Sequence, residues 1–323
     1  MKHSLLLAAC AGAALSLTHC TTDREAAPQP APISHAANAT AAGTLIGPLA
    51  EKKFYKLFSG YDSSDDFEGS GVYTSGGRYY VVFDNRYKIG SIASSLPENS
   101  SQNTLTGSGS GSSNFEAITY DANNTPHYYV TEETVSHNGA YYPRVRQYDA
   151  SLGYQSSLWT DVAFSSANSN KGFEGAAYVR RGSDDYLLGL VEGTGQIKVL
   201  KKTNSGWVTQ ATLAVPVAFP DYSDIDIWGS RVAITTQEGS QLWVGTLSST
   251  TWSFTDAGRV YDFPRGSSTG TVGAGTNVLY GNIEGVSWID ASTLVCVSDK
   301  ADSSQPSYQQ YKEQSIHVFQ LPQ

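Results

Sequence analysis

Methionine occurs once in 323 residues, as the initiator, and cysteine three times, at Cys10, Cys20 and Cys296. Two of those cysteines fall in the first twenty residues, so no disulfide framework is available and packing must hold the rest together. Cys296 sits in the strand-like run Leu294-Val295-Cys296-Val297 and reads as a small buried apolar residue. Only 16% of residues are charged, and 21 Lys plus Arg face 30 Asp plus Glu, for a net charge of −9. A nucleic-acid binder needs a clustered basic face, so no nucleic-acid partner is expected. The six histidines are scattered and form no His/Cys cluster with zinc spacing. His127 and His137, flanking the pair Glu132-Glu133, read as solvated loop positions, and His317 as an outward-facing strand residue. The one Gly-x-Ser-x-Gly match, Gly266-Ser267-Ser268-Thr269-Gly270, lies in a Ser/Thr/Gly-rich stretch with no helical pattern after it, which argues against a serine nucleophile on a strand-to-helix elbow. The run from Gly107 to Ser113 has no Lys-Ser/Thr after it and reads as a flexible connection, not a phosphate loop.

What is present begins with an export signal. Lys2 and His3 precede an apolar run from Leu5 to Leu17, too short to span a membrane and of signal-peptide length. Residues 1–20 are therefore set apart from the fold. The end of this segment, Leu17-Thr18-His19-Cys20, resembles a bacterial lipobox, which implies acylation of Cys20. His19 stands where a small residue is usual, so ordinary cleavage and full secretion is the alternative. Residues 21–45, rich in Ala, Pro and Thr, read as a flexible tether. The protein is thus expected outside the cell or on its surface, touching membrane only through a lipid on Cys20.

Residues 46–323 carry a repeat. Five segments join an acid to an alternating strand that ends in an aromatic residue: Phe67-Glu68-Gly69, Phe115-Glu116-Ala117, Phe173-Glu174-Gly175, Ser223-Asp224-Ile225 and Ile283-Glu284-Gly285. The aromatics are Tyr73, Tyr120, Tyr178, Trp228 and Trp288. The acids lie 48, 58, 50 and 60 residues apart, the period of propeller blades. Each repeat continues with a second strand ending at a polar residue, namely Asp84, Glu132, Glu192, Gln237 and Asp299. A third strand follows in every repeat. With 31 Gly, 20 Tyr and abundant Ser and Thr, the composition suits strands and turns. The expected fold is an all-β, five-bladed β-propeller, with six blades as the alternative and an open sandwich as the remaining one. The last repeat stops after its third strand. Residues Lys53 to Phe58 are expected to supply the missing strand, closing the ring and removing exposed sheet edges.

In such a blade the innermost strand starts where its antiparallel neighbour ends. Glu68, Glu116, Glu174, Asp224 and Glu284 are therefore expected as an inner ring around one channel mouth. Asp84, Glu132, Glu192 and Asp299 are expected as an outer ring, broken by Gln237. Crowded like charges require protons or a cation. Ca2+, which takes six to eight oxygen ligands in a flexible cage, is the expected cofactor. The alternative is that the acids accept hydrogen bonds from neighbouring backbones and border a water-filled channel.

The recurring Glu-Gly at the start of an inner strand resembles the propellers of SdiA-regulated proteins and of phytase esterase-like domains. More distantly, it is similar to the five-bladed calcium-activated nucleotidases, or apyrases. The stretch from Asn282 through Asp299 to Phe319 also resembles the end of an uncharacterised family of secreted microbial proteins. The nucleotidase resemblance implies one Ca2+ in the channel, held at Glu68, Glu116, Glu174 and Glu284. Asp224 departs from that pattern in residue type and in lacking the following Gly.

Two cations complete the reading. Arg86 and Lys300 closely follow Asp84 and Asp299, where they could hold an anion beside a metal or simply balance charge. Arg144, Arg180 and Arg181 read as exposed strand positions. The first functional expectation is a calcium-binding module with a small-molecule, glycan or protein ligand over its acidic face. The second is a metal-dependent hydrolase of phosphoesters or other esters, with Arg86 or Lys300 holding the anion.

Overall fold

A computed structural model describes residues 43–123, 126–168 and 171–322. The expected signal segment, the expected lipidation site at Cys20 and nearly all of the expected tether lie outside the described residues. The described residues are almost entirely β. Among them, no helix is long and apolar enough to cross a membrane.

The strands make five blades, not six. The first contains Gly69–Ser75, Arg78–Phe83, Arg86–Ala93 and Thr104–Thr106, in that order from the inside. The second contains Phe115–Asp121, His127–His137, Ala140–Asp149 and Tyr154–Trp159. The third contains Phe173–Arg181, Asp184–Val191, Gln196–Lys202 and Trp207–Ala214. The fourth contains Asp224–Trp228, Arg231–Thr236, Gln241–Thr246 and Arg259–Asp262. The fifth contains Ile283–Trp288, Thr293–Ser298 and Ser315–Gln320, with Gly47–Lys53 as its outer strand. Within each blade these neighbours pair antiparallel, and the five inner strands contact one another in a closed ring.

The period-two alternation of apolar residues explains the stacking of blades. Side chains on successive strand residues point to opposite faces. Leu294 and Cys296 accordingly join the cluster shared with the fourth blade, while Val295 and Val297 join the one shared with the first. Leu188 and Leu190 face the fourth blade, and Leu187 faces the second. There are five such clusters, one between each pair of adjacent blades. Each fully buried aliphatic or aromatic side chain contributes about 1.5–3 kcal/mol, so the ring needs no covalent staple. Cys296 is free and fully buried.

Ring closure uses an N-terminal strand, but an earlier one than Lys53 to Phe58. Gly47–Lys53 pairs with Ser315–Gln320, and Phe54–Leu57 forms one helical turn. The reason is the spacing of Phe54, Leu57 and Phe58, which a helical turn places on one side. All three are buried against Phe67 and Phe83. Just before the closing strand, Thr44–Leu45 runs parallel to Tyr261 and Asp262 of the fourth blade. The start of the domain therefore clasps two blades at once.

The closing strand carries a polar lock. Glu51 pairs with Lys312, accepts the Tyr280 hydroxyl at 3.0 Å and lies 3.4 Å from His317 Nδ1. Although burial opposes ionisation, His317 and Lys312 hold the Glu51 carboxyl down at about 2. His317 is fully buried and does not face outward, because register places it opposite Glu51 in the sheet. His127 is likewise buried, at 2.5 Å from the Tyr129 hydroxyl, and His137 stacks on Trp159.

Candidate functional site

The five inner strands begin at one mouth of the channel, and the second strands end there. Strand pairing defines which residues are equivalent. Phe115 pairs with Glu132 and Ala117 with Thr131, so a bulge leaves Glu116 unpaired between them. The same bulge isolates Glu174 between Phe173 and Gly175, and Glu284 between Ile283 and Gly285. A bulge re-aims the extra residue, and here it sends three glutamates to one level of the mouth.

The residue after each glutamate is small for a steric reason. A Cβ on Gly175 would lie 2.6 Å from Asp224 Cα, and one on Gly285 would lie 2.9 Å from Gly71 Cα. The backbone of the next inner strand already fills that space. The Glu-Gly signature thus records close approach of neighbouring strands.

The remaining two acids of the inner set stand elsewhere. In the first blade the bulge falls between Gly69 and Gly71, so Ser70 takes the glutamate position and Glu68 precedes it by two residues. Glu68 adjoins Asp84 at the mouth. In the fourth blade Asp224 pairs directly with Thr235, which aligns it with Gly285, not with Glu284. Its carboxylate accepts the N–H of Ile225 at 2.8 Å and that of Val286 at 2.7 Å. Asp224 therefore braces the fourth blade against the fifth, the structural alternative raised for these acids.

Asp84, Glu192 and Asp299 each follow the last residue of a second strand, and Gln237 occupies that place in the fourth blade. In the second blade it belongs to Glu133, not to Glu132. Glu132 is still paired inside the sheet, and its buried carboxylate is held by Arg144 and by Arg146, the latter at 2.9 Å. Arg144 is therefore a half-buried ion-pair partner, not an exposed strand position. Glu133 Oε1 accepts the N–H of Gly172 at 2.9 Å. Asp221 also reaches the site, accepting the N–H of Gln237 at 3.1 Å and that of Glu238 at 3.2 Å. It lies in a loop outside the repeat, where no period marks it.

These groups act strongly on one another. Burial, then Glu174 and Glu284, push the Glu116 carboxyl well above the usual range. Burial raises Glu174, with Glu133 and Glu192 adding to it. Burial raises Glu284, helped by Asp299 and Glu174. Asp84 rises to about 8 through burial, the adjoining Glu68 carboxyl and Asp299. Asp299 rises to about 7, chiefly through burial, with Glu68 and Glu313 adding. Without a cation, burial and mutual repulsion favour the protonated form of these carboxyls.

The donor set is all oxygen, which suits a hard cation such as Ca2+. Among the described residues, however, no three His, Cys, Asp or Glu side chains stand ready to hold an ion. The cations beside the mouth are engaged. Arg86 stacks on Phe67 at 4.0 Å, and Lys300 pairs with Asp66 at 2.7 Å.

No family model matches the chain, and no curated protein matches it. Solved structures do resemble it. A glutaminyl cyclase from Myxococcus xanthus is 9% identical, with a TM-score of 0.49, over 87% of this chain and 100% of that one. Regucalcin from Agrobacterium tumefaciens, a calcium-binding protein, is 9% identical, with a TM-score of 0.47, over 87% of this chain and 95% of its own. A luciferin-regenerating enzyme is 10% identical, with a TM-score of 0.46, over 84% of this chain and 94% of its own. The chain is a five-bladed β-propeller on its own strand pairing.

Proposed function

We propose that the acidic mouth binds Ca2+ and that the protein is a secreted or surface-anchored propeller that holds a ligand over this face. One observation carries the reading: bulges in three blades aim Glu116, Glu174 and Glu284 at one level, beside Asp84, Glu133 and Asp299. Either protons or a cation must neutralise such a set. Binding would draw carboxylates inward from their present positions, with water completing the six to eight ligands. Kinship with SdiA-regulated and phytase esterase-like propellers belongs to the same proposal, as do export by residues 1–20 and acylation of Cys20. The ligand is a small molecule, a glycan or a protein.

Hydrolysis of phosphoesters or other esters would need a cation free to hold the anion. Arg86, stacked on Phe67, and Lys300, paired with Asp66 at the surface, would have to turn from these contacts to do so, and binding is the reading preferred. The test is Ca2+ titration by calorimetry on the purified chain, with melting curves in chelator. Binding of about one Ca2+ per chain, lost in Glu174→Gln and Glu284→Gln, is expected. No Ca2+ binding and no chelator effect on melting would overturn the reading.

A further inference from the structure

The opposite end of the channel has different chemistry. There the inner strands of the first, fourth and fifth blades end around a cavity of 420 Å³. Tyr73, Tyr79, Trp228 and Trp288 supply aromatic walls, and Thr74 and Asp226 supply polar groups. The volume falls within the range of about 300–1,000 Å³ common for small-molecule sites.

Its polar floor is fixed across three blades. The N–H of Thr74 donates to Ser287 Oγ at 3.1 Å. The Ser287 hydroxyl donates to Asp226 Oδ2 at 2.9 Å, and the N–H of Trp288 donates to the same oxygen at 2.8 Å. These bonds fix Asp226 and the end of the fifth inner strand before any ligand arrives. Rigid positioning of this kind lowers the entropy cost of binding.

Two atoms of the lining residues are left over. Thr74 Oγ1 and Trp288 Nε1 are buried without a hydrogen-bond partner, and Trp288 is only 4% exposed. Leaving such a group unmet costs about 1–3 kcal/mol. The indole N–H can only donate, so what satisfies it must bring an acceptor. Trp228, by contrast, is 46% exposed, a large aromatic surface left to solvent at the rim.

We propose that this cavity is a binding site for a neutral sugar ring. A pyranose has an apolar C–H face to lay on an aromatic wall. Its hydroxyls both donate and accept, so one can donate to Asp226 at the floor while, once the lining shifts to uncover the two shielded atoms, others serve Thr74 Oγ1 and Trp288 Nε1. A quaternary ammonium would also suit aromatic walls. It offers no acceptor for the indole, however, and the Arg231 guanidinium already lies 4.5 Å over the Trp288 ring. The neutral polyol matches both features. The site is independent of Ca2+ at the other mouth.

The experiment titrates the purified chain with glucose, galactose, N-acetylglucosamine and lactose, and separately with tetramethylammonium. Tryptophan fluorescence and calorimetry are the readouts. Saturable binding of at least one sugar is expected, weakened about tenfold or more in Trp228→Ala and in Thr74→Val. The Trp228 side chain is half in solvent, so that variant should melt like the parent, and sugar binding to the parent should be the same in chelator as in Ca2+. Three results would overturn the proposal: no sugar binding, leaving the cavity to water; sugar binding unchanged in both variants; or binding of tetramethylammonium alone.

Discussion

The side-chain amide of Gln237 donates to Glu284 Oε1 at 3.0 Å. It is the one neutral residue at a position that Asp84, Glu133, Glu192 and Asp299 fill in the other blades. A donor is therefore placed where a fifth carboxyl would add repulsion. Gln237→Glu removes that hydrogen bond and adds a charge, a cost of about 1–3 kcal/mol. Melting in chelator should fall by several degrees, on the order of 2–4 °C per kcal/mol for a domain of this size. Added Ca2+ should restore more of the loss in the variant than it adds to the parent. An unchanged melting temperature in chelator would mean that Gln237 relieves no charge at the mouth.

The raised carboxyls set a pH dependence whose sign is opposite to that of a salt-bridged acid. Asp84 and Asp299 move from 3.8 when unperturbed to about 8 and about 7 in the fold. Between those limits the folded chain binds more protons than the unfolded one, so stability falls as pH rises. In chelator, the melting temperature should decline from pH 5 to pH 8. Saturating Ca2+ should flatten the decline, because the ion replaces the protons. A melting temperature that rises across this range in chelator would contradict the assignment.

Adjacent glutamates in the second blade should respond in opposite ways. Glu132→Gln breaks a buried pair with Arg144 and Arg146 and should cost about 3 kcal/mol in urea unfolding. Its effect on Ca2+ affinity should be small. Glu133→Gln should leave stability in chelator equal or higher and weaken Ca2+ binding several-fold. If Glu132→Gln weakened the ion and Glu133→Gln did not, the register placing Glu133 at the mouth would be wrong.

Close approach of the inner strands predicts a steric asymmetry. Gly175→Ala places a methyl 2.6 Å from Asp224 Cα and should destabilise the fold by about 1–3 kcal/mol. Ala117→Gly, at the equivalent position of the second blade, should change stability by about 1 kcal/mol or less. Denaturant titrations of both variants test this. A Gly175→Ala variant as stable as the parent would show that the strands can spread.

The sequence alone determined the number of blades, the order of their strands and the closure of the ring from the N-terminal side. Those features follow from local patterns: alternating apolar runs such as Leu294 to Val297, and acids recurring at blade spacing. The sequence also placed Glu116, Glu174 and Glu284 in one inner ring, together with Glu68 and Asp224, because each acid opens the inner strand of a repeat. Only the tertiary structure decided single-residue register. A bulge costs one residue and leaves the apolar alternation on either side looking intact. That is why Glu133, not Glu132, faces the mouth, and why Asp224 turns into the strand contacts. The helical turn at Phe54–Leu57 depends on Phe67 and Phe83 waiting across the blade interface, and the burial of His317 depends on Glu51 beside it. Asp221 and the far cavity come together from loops and strand ends that only ring closure makes neighbours.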